Sequence, residues 1–542
     1  LLKIETSPEF HISGAMISEN KYREFADDPY DQFIVFSIDK SRGTMLDLNL
    51  TNNDYVLPSI IFNIIDQNEI VITGLTIYNE RMHTSGYVME SIESNLNITN
   101  ALIRDNYFGI TYSFFSFNEN SNGIFSNLTI QENVLGQGSY IIECRSKSHV
   151  SVIGGEIADN LVIENSFSID SPEIMVISSS YLELKEVAIS RETSLINSNR
   201  GQINLESIQI NYPKWDNSYK GRRLFTLLQT EISINDLKII NEQRVQSEPS
   251  QEDWIYARNS KLTINKFCLV NAFGAMGQLF HLINCIFEAS QISVKNFTYS
   301  SEAYIISSQR GNTITLTRSE FFISEILIFS QDTDTVIISE VITNISSANL
   351  AAGIVIAGAE LVEVNNCTFN TIYPDKTSIM DSFFQLSDIN SRILVSDITF
   401  QNFQTKYGVF HFLPSKMAKL VVLSNLHFAN NIATEEKSAC LTIEKSSQET
   451  EILFQNLSFS NNEGGRGAAV YLDTNIGIFN NCSFEYNKAR IYGGAVFVKN
   501  TEPEFDRHCT AINNTAQEFL NHIGGEAMRA GPIKERLVAE FP

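Results

Sequence analysis

The chain has 542 residues, with 39 Lys and Arg against 63 Asp and Glu, which gives a formal net charge of −24. Hydrophobic residues make up 43% of it and charged residues 19%, a composition that excludes an intrinsically disordered chain. The acidic balance argues against nucleic acid as a partner, because each phosphate contact would be made against the protein's own field. No apolar run reaches the ~18–20 residues of a membrane-spanning helix, so no transmembrane segment is predicted.

Repeats divide the chain into three parts. Residues 1–30 are interpreted as an N-terminal flank or cap, residues 31–525 carry the repeats, and residues 526–542 form a C-terminal flank that we expect to be truncated or to continue. Each repeat contains an apolar anchor residue that is often followed three positions later by Asn. The 18 anchors lie on average about 27 residues apart. They are Leu50, Ile77, Ile103, Ile130, Ile157, Ile189, Ile210, Ile239, Leu269, Tyr299, Phe322, Ile342, Phe369, Phe400, Phe428, Phe459, Phe484 and Ala511.

The residues around each anchor alternate between apolar and polar, which is typical of a strand with one buried face. A unit of this size cannot bury its apolar face alone, so stacking of the repeats is expected. We predict an all-β fold, a right-handed parallel β-helix of about 17–19 coils. A leucine-rich repeat solenoid is the alternative, but its return segment would carry helical Leu spacing, whereas here the segment has the pattern of a second strand.

The predicted register is weakest around Phe322 and Ile342. If these residues are anchors, Glu320 and Glu340 fall on the column that should face the core. Further along the chain the anchors are aromatic, and they predict a stack of rings in the core at Phe369, Phe400, Phe428, Phe459 and Phe484.

Asn also forms a column three residues before the anchor. Asn tolerates the left-handed backbone of a tight bend, and its amide can hydrogen-bond to the Asn of the next coil. We predict a structural ladder of Asn127, Asn296, Asn366, Asn425, Asn456 and Asn481. All of these except Asn425 begin N-x-[ST] sequons, which we attribute to the outward Thr or Ser of the strand and not to glycosylation. The glycosylation candidates are the four sequons outside the column, Asn49, Asn97, Asn344 and Asn513.

The seven cysteines are spread along the chain without a C-x-x-C pair, so neither a zinc site nor a dense disulfide scaffold is indicated. Cys482 and Cys509 occupy the same inner column in successive coils, at a rung spacing of ~4.8 Å. We interpret them as stacked core thiols. A disulfide between them is the alternative that this spacing allows.

The C-terminal coils show a paired motif. Phe484-Glu-Tyr-Asn487 is followed by Gly493-Gly-Ala-Val496, and Phe459-Ser-Asn-Asn462 is followed by Gly467-Ala-Ala-Val470. The pair resembles the FxxN and GGA[ILV] repeats of the polymorphic outer membrane protein class over about residues 420–500. This resemblance implies a pectin-lyase-like right-handed β-helix of the kind found on surface adhesins and large protist surface proteins. Together with the heavy use of Asn, Ile and Ser, it leads us to expect a protist surface protein.

Polysaccharide lyases and polygalacturonases share this solenoid, so an enzyme has to be considered. The hydrolases need two carboxylates close to the scissile bond, but no Asn-Thr-Asp, Gly-His-Gly or Arg-Ile-Lys motif occurs. Asp27 and Asp28 are more typical of a solvated turn, and the Asp-x-Asp of Asp332 and Asp334 gives only a weak indication of calcium. No catalytic, cofactor-binding or metal-binding residue is predicted.

The function predicted from the sequence is a non-enzymatic structural or adhesive scaffold, extracellular or on the cell surface, as a subunit of a filament, coat or appendage. Its partners would be like subunits, other surface proteins or glycans. Two alternatives stay open: a carbohydrate-active β-helix enzyme of the lyase or hydrolase type, and an intracellular repeat scaffold. The enzyme requires a cluster of ionisable residues on one sheet, whereas the intracellular scaffold would keep seven reduced thiols and carry no glycans.

Overall fold

The computed structural model describes most of the chain. The described residues are 2–22, 33–55, 59–83, 86–109, 112–136, 139–162, 174–190, 195–211, 223–240, 253–271, 278–297, 304–323, 326–345, 352–371, 379–413, 420–444, 451–473, 476–499, 503–517 and 523–525. Their regular structure consists of β-strands, and no helix among them is long and apolar enough to cross a membrane. The chain divides into two compact units, Leu1–Asn271 (unit 1) and Ala272–Pro542 (unit 2).

In unit 1 the chain passes repeatedly through three parallel sheets. The first sheet consists of Leu2–Glu5, Phe33–Asp39, Ser59–Ile65, Gly86–Ile92, Tyr112–Asn118, Tyr140–Arg145, Met175–Ser178, Ile196–Asn199, Phe225–Leu228 and Ile255–Arg258. The second sheet consists of Phe10–Ser13, Met16–Ser18, Arg42–Thr51, Glu69–Tyr78, Asn95–Arg104, Asn122–Gln131, His149–Ala158, Tyr181–Ser190, Gln202–Asn211, Glu231–Ile240 and Lys261–Val270. The third sheet consists of Lys21–Tyr22, Asp54–Tyr55, Arg81–Met82, Tyr107–Phe108, Val134–Leu135 and Leu161–Val162.

Unit 2 has the same three-sheet plan. Its first sheet consists of Phe280–Ile283, Tyr304–Gln309, Ile326–Gln331, Ala352–Ala357, Ser382–Ser387, Phe410–Leu413, Leu441–Ile443, Val470–Leu472, Val496–Val498 and Ile523–Gly525. Its second sheet consists of Ile286–Ser290, Ile292–Phe297, Thr313–Thr317, Glu320–Ile323, Thr335–Ser339, Ile342–Ile345, Leu361–Asn365, Thr368–Thr371, Arg392–Gln401, Leu420–Ala429, Glu451–Gln455, Ser458–Ser460, Ile476–Asn480, Ser483–Glu485, Glu504–Phe505 and Thr510–Ile512. Its third sheet consists of Gln404–Thr405, Ile432–Ala433, Glu463–Gly464, Lys488–Ala489 and Thr515–Ala516.

Successive coils pair in parallel with little change of register. Ile98, for example, pairs with Ile72 of the preceding coil and with Phe125 of the following one, and all three side chains are buried. Each coil thus covers the apolar face that its neighbour could not bury alone. The predicted all-β parallel β-helix with about 27 residues per coil is confirmed. Each coil contributes one strand to the first sheet, which has ten described strands in each unit, compared with the 17–19 coils predicted for the chain.

Residues 2–22, which the sequence analysis placed in an N-terminal flank or cap, form four strands. Leu2–Glu5 pairs in parallel with Phe33–Asp39, and Phe10–Ser13 pairs with Arg42–Thr51. The strand pairing of the described chain therefore begins before residue 31. Residues 526–542 lie outside the described residues.

The second sheet bends where its strands carry a left-handed residue, with φ of 57° at Asn100, 59° at Asn127 and 56° at Asn456. Asn and Asp tolerate this backbone better than other residues with a Cβ atom. Amides at the bends bond from coil to coil at 2.9 Å: Asn127 Nδ2 donates to Asn100 Oδ1, and Asn456 Nδ2 donates to Asn425 Oδ1. Asn481 Nδ2 donates to Asn456 Oδ1 at the same distance. We call this exposed row the bend ladder.

A second row of polar side chains is buried where the chain passes from the second sheet to the third. In unit 1 it consists of Asn53, Glu80, Asn106, Asn133 and Asn160, and in unit 2 of Asn431, Asn462, Asn487 and Asn514. The Oδ1 atom of Asn462 accepts the backbone N–H and the Nδ2 of Asn431, both at 3.0 Å. Its Nδ2 donates to Phe428 O at 3.1 Å and to Asn487 Oδ1 at 2.9 Å. These rows are the buried ladders of the two units.

The ring stack predicted for unit 2 is confirmed. Phe400 and Phe428 have ring centroids 4.9 Å apart, Phe428 and Phe459 5.1 Å, and Phe459 and Phe484 5.0 Å, with rings inclined by at most 16°. Phe369 extends the stack, with its centroid 5.6 Å from that of Phe400. The rings are buried and therefore belong to the core.

The anchors predicted at Phe322 and Ile342 are wrong by one residue. Phe321 is the fully buried residue, and Ile342 is 45% exposed. The two glutamates of this region accordingly do not face the core. Glu320 pairs with Ile342, only 22 residues later, so the usual spacing does not fix the register here. A slip of one residue then exchanges the two faces of the strand.

Candidate active site

The glycosylation candidates differ in exposure. Asn97 and Asn513 are exposed, whereas Asn49 and Asn344 are half-buried in strands of the second sheet. Asn49 Nδ2 donates to Asp47 O at 3.3 Å. Asn97 and Asn513 are thus the more accessible of the four.

The residues of the predicted Asn ladder lie at the bends of the second sheet. Asn127, Asn425, Asn456 and Asn481 take part in the bend ladder. Asn366 shares the left-handed backbone, with φ of 49°. The side chain of Asn296 lies outside the described part of the chain.

Cys482 and Cys509 are buried free thiols, 1% and 4% exposed, and no disulfide joins them. The backbone N–H of Cys482 donates to Cys509 Sγ at 3.4 Å. The contact with Cys509, followed by burial, raises the pKa of Cys482, while the hydrogen bond from Cys482 lowers the pKa of Cys509. The two thiols stack in the core of successive coils.

The weak calcium indication falls on an exposed turn. Asp332 and Asp334 both lie there, between a strand of the first sheet and a strand of the second. Among the described residues no group of three or more His, Cys, Asp or Glu side chains could hold a metal ion. Asp27 and Asp28 lie outside the described residues.

Ionisable side chains gather on three neighbouring strands of the first sheet of unit 1, on the face opposite the core. Glu90 pairs in register with Ser116, and Ser116 pairs with Glu143. Neighbouring strands are about 4.8 Å apart, so the Cα atoms of Glu90 and Glu143 are ~9.6 Å apart. We call these two residues the carboxylate pair.

Glu143 is held by three partners. Arg145 forms an ion pair with Oε1, and the hydroxyls of Ser113 and Ser116 donate to Oε2 at 3.2 and 3.3 Å. The Glu143 side chain is 5% exposed, whereas Arg145 is 54% exposed. A cation and two hydrogen bonds are the compensation that a buried negative charge requires.

Glu90 has a different environment. It is half-buried, and burial, followed by the negative charge of Glu143, raises the pKa of Glu90 above its ordinary value. Burial and the charges of Glu143 and Glu90 also raise the pKa of Tyr87, which lies on the same strand as Glu90. The carboxylate pair therefore combines a group biased towards its protonated form with one that is ion-paired, and such differences assign acid and base roles.

The spacing of the carboxylate pair limits the chemistry that it can perform. Retaining glycosidases place their carboxyl groups about 5–5.5 Å apart, and inverting ones about 6.5–9.5 Å apart to admit a water molecule. The Cα atoms of the pair are two strands apart, ~9.6 Å, which leaves room for a water molecule between the two side chains, as the inverting arrangement requires. Glu90 can then protonate a leaving oxygen while Glu143 takes a proton from water.

The second sheet of unit 1 carries a groove with a volume of about 620 Å³. Two outward columns of residues line it on successive strands. One column is Glu69, Asn95, Asn122 and His149, and the other is Val71, Asn97, Ile124, Ser151 and Glu183. Tyr181 follows His149 in register on the next strand. From Glu69 to Tyr181 there are four strand-to-strand steps, which span ~19 Å.

The carboxylates of the groove are paired. Arg42 binds Glu69 through two nitrogens, with Nε 3.1 Å from Oε2 and Nη2 3.3 Å from Oε1. Glu183 accepts hydrogen bonds from Ser151 Oγ at 2.9 Å and from Asn204 Nδ2 at 3.2 Å. The groove thus presents amides and aliphatic groups beside one ion-paired carboxylate, Glu69, and one hydrogen-bonded carboxylate, Glu183.

His149 lines one end of the groove, and Tyr181 lies beside it on the next strand. The centroids of His149 and Tyr181 are 4.2 Å apart, and the rings are inclined by 35°. Burial, followed by the charge of Glu183, raises the pKa of Tyr181, so the phenol stays protonated and can donate a hydrogen bond.

Neither the carboxylate pair nor the groove was predicted from the sequence. Glu90 and Glu143 stand in Val88-Met-Glu-Ser-Ile92 and Ile141-Ile-Glu-Cys-Arg145, and no motif marks either of them. They are 53 residues apart in the sequence. They lie on the same face of the sheet because one coil of 26 residues and one of 27 residues separate them. The available signal was an acidic residue within a predicted strand, at equivalent positions of two nearby coils, and this does not by itself mark a catalytic group.

No family model matches the sequence, and no curated protein matches it. Among solved structures the chain is similar to a mutant of the PL6-family alginate lyase AlyGC, with a TM-score of 0.30 and 10% identity over 95% of this chain and 97% of the other. The comparison contradicts the predicted non-enzymatic structural or adhesive scaffold, because the similar structure is a polysaccharide lyase, and the scaffold is not retained as the function. The activity proposed below rests on the residues of this chain.

Proposed function

We propose that the chain is a carbohydrate-active β-helix that hydrolyses a polysaccharide with inversion at the anomeric carbon. The observation that supports this proposal is the carboxylate pair, in which two glutamates in unequal environments face the same side of one sheet. Glu90 is the general acid, since burial and the charge of Glu143 keep its proton bound to a higher pH than usual. Glu143 is the general base.

The reaction needs only these groups and water. Glu90 gives its proton to the glycosidic oxygen as the bond from that oxygen to the anomeric carbon breaks. Water attacks the opposite face of the sugar and loses a proton to Glu143, which gives a hemiacetal of inverted configuration. Arg145 holds the Glu143 carboxylate in place through its ion pair.

A neutral polysaccharide fits this site better than a polyuronate. The net charge of the chain is −24, and such a field repels an anionic polymer. The one cation described at the carboxylate pair, Arg145, is engaged with Glu143. The substrate class is therefore a glycan without carboxylates.

The test is the release of reducing ends from xylan, mannan and β-glucan, with polygalacturonate as the acidic comparator. General acid and base groups each contribute about 10²–10⁴-fold, so Glu90→Gln and Glu143→Gln are expected to lose that much rate. Glu93→Gln alters an exposed carboxylate just beyond the same strand and is expected to leave the rate unchanged. Proton NMR of the first product shows the anomeric configuration.

Retention of configuration, or full activity in Glu90→Gln and Glu143→Gln, would contradict the proposal. Circular dichroism of each variant shows whether the β-helix is still folded. If a variant is unfolded, the pH–rate profile of the unaltered chain provides the test instead. The upper limb of this profile should reflect the raised pKa of Glu90.

We also propose an extracellular location, which an enzyme acting on a structural polysaccharide requires. Glycopeptide mass spectrometry of native material tests it, with Asn513 the most accessible candidate outside the groove. A glycan there supports the location, whereas seven reduced thiols without any glycan favour the intracellular alternative. The resemblance to FxxN and GGA[ILV] repeats and the protist origin stay predictions.

A further inference from the structure

We propose that the groove on the second sheet of unit 1 is a second glycan-binding site, which holds one neutral polysaccharide chain apart from the carboxylate pair. The inference rests on the proposed function in that the ligand is taken to be a glycan. No residue of the groove belongs to the carboxylate pair, so binding in the groove and hydrolysis can be measured independently.

The lining suits a sugar chain. Asn95 and Asn122 offer side-chain amides, and one bond, from Asn122 Nδ2 to Asn95 Oδ1 at 2.8 Å, fixes their orientation. A carboxamide can both donate to and accept from neighbouring hydroxyl groups. Beside Asn122 on the same strand, Ile124 is 44% exposed, and it offers an apolar surface to the C–H face of a sugar ring.

The ring pair supplies a stacking platform. His149 is exposed and Tyr181 half-buried, so each keeps part of its surface in contact with solvent. Their centroid distance of 4.2 Å keeps the two rings together at the end of the groove. An aromatic face combined with a hydrogen-bonding tip suits the amphipathic surface of a pyranose.

The charges select against an anionic ligand. Arg42 is engaged with Glu69, and the described residues that line the groove include no Lys or Arg that could neutralise an anionic polymer. An anionic chain would also meet the negative field of the protein. A cationic ligand would have to compete with Arg42 for Glu69.

The groove and the carboxylate pair lie on the same coils but on different sheets. The groove spans the strands from Glu69–Tyr78 to Tyr181–Ser190, and the pair spans Gly86–Ile92 to Tyr140–Arg145. A polymer held in the groove raises the local concentration of its other segments at the carboxylate pair. The groove should therefore matter for long chains and not for short oligosaccharides.

Asn97 begins one of the four candidate sequons, and it also lines the groove, from near the start of the strand Asn95–Arg104. An N-linked glycan at Asn97 would occupy the space proposed for the ligand. Glycosylation of Asn97 and polysaccharide binding therefore exclude each other in the same molecule.

The test is affinity electrophoresis of the full chain through gels that contain xylan, mannan, β-glucan or polygalacturonate. The unaltered protein and Glu143→Gln are both expected to be retarded by at least one neutral polymer. The double variant His149→Ala/Tyr181→Ala should bind that polymer at least about tenfold more weakly. The matched control is His83→Ala/Tyr107→Ala, a second exposed His–Tyr pair of unit 1 whose centroids are 6.0 Å apart, and it should bind normally.

Equal retardation of His149→Ala/Tyr181→Ala and the control, retardation by polygalacturonate alone, or full binding by a form glycosylated at Asn97 would overturn the inference. Hydrolysis is measured separately on a soluble oligosaccharide, where the groove variant should keep the full rate. Retardation without any hydrolysis would reject the proposed enzyme but keep the groove. Hydrolysis of polymer and oligosaccharide alike, without retardation, would reject the groove but keep the enzyme.

Discussion

The buried ladders of the two units differ in one residue type: the ladder of unit 1 contains a glutamate, and the ladder of unit 2 contains only asparagines. In unit 2 the side chains of Asn431, Asn462, Asn487 and Asn514 bond to one another without interruption. In unit 1 the carboxyl group of Glu80 stands between Asn53 and Asn106, and it accepts from Asn53 Nδ2 at 2.9 Å. Every other bonded pair of the two ladders joins two carboxamides.

The difference shows what a carboxamide supplies to this row. The Nδ2 atom of Asn106 donates both to Ile77 O at 3.1 Å and to Asn133 Oδ1 at 2.9 Å, and an ionised carboxylate can donate to neither kind of acceptor. Burial raises the pKa of Glu80 to about 7, although hydrogen bonds from Asn53 oppose the shift. The ladder of unit 1 therefore changes its charge near pH 7 through Glu80, whereas the four Asn residues of the ladder of unit 2 do not ionise.

The largest effect is expected from breaking the ladder of unit 2. In Asn487→Ala the backbone N–H and the Nδ2 of Asn462 lose their acceptor, and Phe459 O loses the donor that lies 2.9 Å away. Each buried polar group left without a partner costs about 1–3 kcal/mol, so the free energy of unfolding should fall by about 4 kcal/mol. Urea denaturation followed by circular dichroism measures it. A loss below about 1 kcal/mol would mean that water replaces the side chain.

The next effect concerns pH. Glu80 ionises near pH 4.5 when the chain is unfolded and at about 7 when it is folded, so the folded state holds a proton that the unfolded state has lost. The contribution of Glu80 to the free energy of unfolding is fully present below pH 4.5. It falls by about 3 kcal/mol as the pH rises to 7, and it stays constant above pH 7.

Glu80→Gln isolates this contribution from the many other carboxylates of the chain. The difference in unfolding free energy between the variant and the unaltered protein should be small at pH 4 and should grow to about 3 kcal/mol in favour of the variant at pH 8. Glu93→Gln, an exposed carboxylate, serves as the control and should show no such growth. A difference that does not change with pH would contradict the prediction, because it would show that the pKa of Glu80 is the same in the folded and the unfolded chain.

The sequence predicted the fold because one period repeats through almost the whole chain. The column of Asn three residues after the anchors was visible as well, but the ladder was assigned to the column three residues before them. Both columns bond from coil to coil, and only burial, which depends on the side of the bend, separates them. Near Phe321 a coil of 22 residues shifted the register by one. The carboxylate pair could not be predicted, since its two members share no motif and depend on the stacking of three coils.

The smallest effect on the free energy of unfolding is expected in the bend ladder, where two variants of one residue separate the contribution of the left-handed backbone from that of the amide hydrogen bonds. Asn456 has φ of 56°, accepts from Asn481 Nδ2 and donates to Asn425 Oδ1. Water competes for exposed amides, so we expect the left-handed backbone to determine the cost. Asn456→Ala should then lower the free energy of unfolding by about 1 kcal/mol, whereas Asn456→Gly, which loses the same bonds but adopts this backbone freely, should be nearly neutral. Equal losses in the two variants would instead assign the stabilisation to the amide bonds and make the bend ladder energetically similar to the buried one.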